Sequence, residues 1–110
     1  MPLPELRSIL HDDQKFAYRE SGKGPVVVLL HGIGSNSKTW AAQLDDLSEH
    51  YRVIAWDAPG YGESTCLEVS SPVLEDYADA LKYFLNALGI DAAHFVGHSF
   101  GGAILAVFAS

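Results

Sequence analysis

The 110-residue sequence predicts an α/β fold, a β-hairpin followed by three parallel strands alternating with helices in the order β-α-β-α-β-α. Three observations carry this expectation. Val26-Val27-Val28-Leu29-Leu30 is an uninterrupted β-branched and leucine run, two later stretches repeat apolar residues at helical spacing, and glycine-bearing loops follow the apolar runs. The hairpin spans Arg7 to Glu20, where two short runs flank Asp12-Asp13. There Phe16 and Tyr18 alternate with Lys15, Ala17 and Arg19 in the period of a half-buried strand.

Ser21-Gly22-Lys23-Gly24-Pro25 is a turn cluster, and the Val26–Leu30 run after it has the composition of a strand covered on both faces. Trp40, Leu44, Leu47 and Tyr51 recur at helical spacing with Asp45, Asp46 and Glu49 between them, predicting an amphipathic helix from Ser37 to His50. Val53-Ile54-Ala55-Trp56 is the next strand, ended by Asp57-Ala58-Pro59-Gly60-Tyr61-Gly62, and a loop runs on to Ser70. Ser71-Pro72 supplies a cap and a first-turn proline for a helix whose apolar face is Val73, Leu74, Tyr77, Ala78, Leu81, Phe84, Leu85 and Leu88, with Gly89 as its stop. Phe95 and Val96 mark the third strand, and Ala103 to Ala109 the last helix.

Length bounds this to one domain over residues 1–110, with no internal repeat or linker. A formal charge of −7 argues against a nucleic-acid partner, whose phosphates select clustered Lys and Arg. No apolar run approaches the ~20 residues of a membrane span. The opening Met-Pro-Leu-Pro-Glu lacks a basic region followed by an apolar stretch, so cytoplasm is the expected location. Cys66, the single cysteine, is read as an ordinary thiol, and no metal or organic cofactor is implied.

Gly97-His98-Ser99-Phe100-Gly101 matches G-x-S-x-G, a sharp strand-to-helix turn that lifts a serine hydroxyl above a sheet. Gly97 and Gly101 stand where side chains would collide as strand and helix close up. Ser99, just ahead of a helix, lies near the positive end of its dipole, which favours an oxyanion nearby.

With His31-Gly32 ending the first parallel strand, Asp57-Ala58-Pro59-Gly60-Tyr61-Gly62 the second and Gly97-His98-Ser99-Phe100-Gly101-Gly102 the third, the chain resembles the N-terminal half of an α/β-hydrolase. The resemblance implies that the third parallel strand lies beside the first and the second on its other side, with connecting helices on opposite faces. It implies Ser99 as nucleophile and an oxyanion hole made by the backbone N–H groups of Phe100 and Ile33, supported by His31, Gly32, Gly97, His98 and Gly101. It implies a small-molecule substrate that is an ester, lactone, thioester or ketone-type carbonyl compound cleaved at the adjoining C–C bond. Acyl transfer to peroxide or another acceptor would use the same site. Family members that displace halide or open epoxides carry aspartate at the elbow, so the serine excludes that branch.

The family order continues from Ser to Asp or Glu and then His, and Ile104 to Ser110 holds neither a carboxylate nor a histidine. The base and its orienting acid are therefore expected beyond residue 110, in a longer parent. His98 is expected to point away from Ser99, His31 to brace the oxyanion loop, His94 to lie on or before the third strand, and His11 and His50 at surface or boundary positions. Asp57 is expected to hold the Pro59-Gly60 turn by an Asx-type bond. Trp40 is expected in the core, or with Phe100 and Tyr61 along a pocket, and Tyr61 otherwise on the surface. Alone, residues 1–110 would leave the third strand on an open edge, so self-association there is expected.

Two other functions compete. Gly32-Ile33-Gly34-Ser35-Asn36-Ser37-Lys38-Thr39 misses the phosphate-cradling P-loop by one glycine and the dinucleotide fingerprint at its third, leaving Lys38 a solvated residue. Neither nucleotide reading accounts for the second glycine-bracketed turn at Ser99. A non-catalytic binding or scaffold protein on the same fold is the other alternative, since a fold alone does not establish turnover.

Overall fold

A computed structural model describes residues 3–110. Its five-stranded sheet has the order β1-β2-β4-β3-β5, with β1 at Arg7–His11, β2 at Gln14–Ser21, β3 at Val26–Leu30, β4 at Arg52–Trp56 and β5 at His94–Gly97. β3 pairs in parallel with β4 on one side and β5 on the other, the arrangement expected of the three parallel strands. The hairpin joins through β2, which runs antiparallel to β4 with Tyr18 opposite Trp56. Glu20, near that junction, takes a two-point ion pair from Arg52, with Nε 2.9 Å from Oε2 and Nη2 3.3 Å from Oε1.

Strand alternation divides the core into two layers. Val28, Leu30, Ile54 and Trp56 pack on one face against Leu81 and Phe84 of α2 (Leu74–Ala87) and Ile104 of α3 (Phe100–Phe108). Val27, Leu29, Val53 and Ala55 pack on the other against Leu44 of α1 (Ala41–Asp46), with Trp40 and Leu47 beside them. The connecting helices thus cover opposite faces, as right-handed crossovers require.

Three helix boundaries differ from expectation. The stretch from Ser37 to His50 is not one helix: a 3₁₀ turn at Ser37–Trp40 and another at Leu47–Glu49 flank the six residues of α1. The first turn is tightened because Asn36 Oδ1 accepts the Lys38 N–H at 2.9 Å while the buried Asp57 carboxylate captures the Ser37 N–H at 2.8 Å. Helix α2 starts at Leu74 rather than beside Ser71-Pro72, because Asp76 at the third helical position accepts the Val73 N–H at 2.8 Å. Glu75 and Asp76 also place negative charge in that first turn, where the helix dipole favours it. Its end is as expected: the Gly89 N–H reaches Asn86 O at 3.0 Å and the Ile90 N–H reaches Leu85 O at 2.9 Å, a Schellman closure. Helix α3 begins at Phe100, directly after Ser99.

Strand β5 has no second partner strand among the described residues, and Val96 on it is 46% exposed. Beside it, Leu85, Ile90, Phe95 and Phe108 line an open cavity of about 390 Å³. Among the described residues no helix is long and apolar enough to cross a membrane.

Candidate active site

The parallel strands β3, β4 and β5 end at three loops on one rim of the sheet, and two of these carry the predicted site residues. At the end of β5, Ser99 sits at φ 55°, ψ −109° between strand and helix. A non-glycine residue in that region costs about 1–3 kcal/mol and persists only where its surroundings over-determine it. The surroundings do so. A Cβ on Gly97 would lie 2.6 Å from the Gly101 carbonyl carbon and the Gly102 nitrogen, and one on Gly101 would fall 2.7 Å from the Leu30 carbonyl carbon and closer still to its oxygen. The elbow is therefore pressed onto the end of β3, with the His98 N–H donating to Leu30 O at 3.0 Å and the Gly101 N–H to His98 O at 3.0 Å.

Ser99 is exposed, and its hydroxyl makes no hydrogen bond to any described residue. The Phe100 N–H, first in α3, and the Ile33 N–H, in the loop after β3, likewise have no acceptor among the described residues. Ile33 itself is 74% exposed, and the loop folds back through Ser35 N–H donating to Gly32 O at 3.2 Å. The His98 ring lies over Gly32, its Nδ1 3.1 Å from where a Cβ would be, so it turns toward the oxyanion loop.

His31 is buried beneath that loop. Its Nε2 accepts the Ala58 N–H at 3.0 Å, which fixes the proton on Nδ1, and Nδ1 donates to Gly32 O at 2.8 Å. Both ring nitrogens are thus committed to bracing, and the ring ties the loop after β3 to the loop after β4. Burial pushes the His31 imidazole below its ordinary pKa of 6.5, against the opposing pulls of the Gly32 carbonyl and the Asp57 charge. A depressed folded value means the unfolded chain binds the extra proton first as pH falls. Stability from neutral His31 is therefore complete above pH 6.5 and lost progressively below it; urea midpoints at pH 7.5 and 5.5 should show a fall that His31→Gln reduces.

Asp57 corrects the expectation made for it. Its carboxylate does not hold the Pro59-Gly60 turn, where the Gly60 N–H instead donates to Thr65 O at 3.1 Å. It reaches across loops: Oδ1 accepts the Ser37 N–H at 2.8 Å and Oδ2 the Glu63 N–H at 3.1 Å. The chain is close to it at Gly62, where any Cβ would strike the carboxylate. Ser64 extends this weld, its Oγ accepting the Ala17 N–H at 2.8 Å and donating to Asp57 O. Asp57→Ala would orphan the buried Ser37 N–H and free the Glu63 N–H to water, so urea unfolding should report a loss of about 2–3 kcal/mol.

Tyr61 is not a surface residue. It is half-buried, its ring 5.3 Å from that of His31 and 5.8 Å from that of Phe100, and Tyr77 meets Phe100 edge-on at 5.0 Å. Trp40 packs in the core layer under α1, away from these rings. Lys38 and Cys66 are exposed. His94 lies on β5, His50 is exposed, and His11 stacks on Tyr83 at 4.8 Å. A cavity of about 410 Å³ lined by His11, Asp12, Glu68, Asp76 and Tyr83 does not include Ser99. Among the described residues no group of three His, Cys, Asp or Glu could hold a metal ion.

Comparison with known proteins agrees with this arrangement. The family profile described as alpha/beta hydrolase fold matches residues 25–110. The chain is 35% identical over 95 residues to (E)-2-((N-methylformamido)methylene)succinate hydrolase of Acinetobacter baylyi, covering 86% of this chain and 36% of that protein. It is 36% identical over 96 residues to 2-hydroxy-6-oxo-6-phenylhexa-2,4-dienoate hydrolase of Comamonas testosteroni, covering 84% of this chain and 34% of that one. Among solved structures, a bacterial membrane phospholipase A superposes with a TM-score of 0.89 at 33% identity, over 96% of this chain and 34% of that chain. The chain thus spans about a third of the length of these relatives.

Proposed function

The chain belongs to the α/β-hydrolase fold family, and from that premise we propose that Ser99 is the nucleophile of a serine hydrolase acting on small carbonyl substrates. The observation that carries the reading is a serine held at φ 55° on the rim of the sheet, followed by the Phe100 N–H and with His98 against Gly32 of the loop that carries the Ile33 N–H, both N–H groups without an acceptor among the described residues. The substrate class is a carboxylic ester, lactone or thioester, or a compound with a C–C bond next to a carbonyl.

In this mechanism Ser99 Oγ attacks the substrate carbonyl carbon while its proton passes to a histidine lying beyond residue 110, oriented by a carboxylate also beyond it. The carbonyl π electrons move onto oxygen, and the Phe100 and Ile33 N–H groups donate to that oxyanion. One such preorganised donor is typically worth about 2.7–4 kcal/mol in the transition state. Collapse expels the leaving group with the proton held on the histidine, and water then repeats the sequence to release the acid and free Ser99. The relatives' length supports this placement of the base, since the chain covers only 36% of the Acinetobacter hydrolase.

Labelling of the full-length protein with a fluorophosphonate tests the reading. Mass spectrometry should find one adduct, on the peptide containing Ser99, and none in Ser99→Ala. A wild-type protein that stays unlabelled, with substrate analogues still binding, would favour the non-catalytic binding protein.

A further inference from the structure

Two N–H groups from different loops serve one oxygen only if the loops keep a fixed separation, and a run of contacts joins them. His31 Nδ1 donates to Gly32 O, one residue before Ile33, and the His31 ring packs against Tyr61 at 5.3 Å. Tyr61 in turn packs against Phe100 at 5.8 Å, and Tyr77 meets the same ring edge-on at 5.0 Å. The Tyr61 main chain is fixed to the same assembly: its N–H donates to Ala58 O at 2.8 Å, and the Ala58 N–H donates to His31 Nε2 at 3.0 Å. The loop after β4 supplies no atom to the chemistry above, yet it places this ring between the two loops that do.

We propose that Tyr61 is a positioning residue, a strut whose ring sets the separation between the loop carrying the Ile33 N–H and the elbow carrying the Phe100 N–H. The proposal rests on the hydrolase reading for its effect on rate. A shift of the first turn of α3 would carry the Phe100 N–H with it, and the Phe100 ring, held by the Tyr61 and Tyr77 rings, anchors that turn. Because the donors are worth more to an oxyanion than to a ground-state carbonyl, a lost strut falls on kcat and spares KM. A ring that merely lined the substrate pocket would do the reverse.

In the full-length protein, Tyr61→Leu should lower kcat for an activated ester by about tenfold to a hundredfold with KM within about twofold. Inhibition by a trifluoromethyl ketone, which forms a tetrahedral oxyanion on serine, should weaken by the same factor, and Tyr61→Phe should recover most of both losses. A change confined to KM, or no change in a folded Tyr61→Leu protein, overturns the proposal. Residual dipolar couplings supply a readout that needs no turnover: the relative orientation of the Ile33 and Phe100 N–H vectors should change in Tyr61→Leu and return in Tyr61→Phe. If the wild type shows no Ser99-dependent turnover, the hydrolase reading fails, and unchanged vectors would still refute the strut while altered ones would uphold it. Should Tyr61→Leu not fold, Tyr61→Met is read by the same measurements.

Discussion

Ser99→Ala in the full-length protein is expected to lower kcat for an activated ester by about 10⁴- to 10⁶-fold, an increase of roughly 5–8 kcal/mol in the barrier. The substitution removes one oxygen, and with it the atom that forms the acyl-enzyme bond. Oxyanion donors and substrate contacts remain, which sets the floor. Stability should barely move, because alanine bears the same φ 55° burden as serine. Ser99→Gly separates the two effects: activity should fall as far, while the relaxed backbone should add about 1 kcal/mol of stability in urea unfolding. Retention of more than about 1% of turnover in Ser99→Ala would remove this serine from the chemistry.

A large stability loss is expected at Gly101. Its missing side chain admits the Leu30 carbonyl, and Leu30 is the last residue of β3, in register with Gly97 and accepting the His98 N–H. β3 is flanked by β4 and β5 and buried on both faces, so it has nowhere to retreat. Gly101→Ala should therefore cost about 3 kcal/mol or more, read as a lower urea midpoint at unchanged slope. The adjacent Gly102 gives the contrast. A Cβ there meets nothing nearer than Gly97 O at 3.5 Å, so Gly102→Ala should be neutral or stabilise by up to about 1 kcal/mol through helix propensity. Equal effects at the two positions would mean that the elbow is not pressed against β3.

Much of this arrangement is legible in the sequence, for identifiable reasons. The Val26–Leu30 run can only be buried on both sides, and the glycines around Ser99 state a close approach before any coordinates do. What escapes is contact between residues far apart in sequence. Asp57 reads locally as an Asx turn beside Pro59 and Gly60, yet its acceptors serve Ser37, twenty positions back, and Glu63. That same capture of the Ser37 N–H tightens the turn ahead of α1, which periodicity alone reads as one continuous helix. Ser71-Pro72 has the composition of a helix start, and Asp76 overrides it by holding the Val73 N–H. Tyr61 carries no periodic signal, being one residue between two loop glycines; only the folded chain shows its ring between His31 and Phe100. Its position inside Asp57-Ala58-Pro59-Gly60-Tyr61-Gly62 was the available hint.

The most direct test is the crystal structure of the full-length protein after reaction with a phosphonate that mimics the tetrahedral intermediate. The account predicts phosphorus bonded to Ser99 Oγ, and one phosphonyl oxygen accepting hydrogen bonds of about 2.7–3.1 Å from both the Ile33 and Phe100 N–H groups. An adduct on another residue, or a phosphonyl oxygen directed away from those two amides, would contradict it.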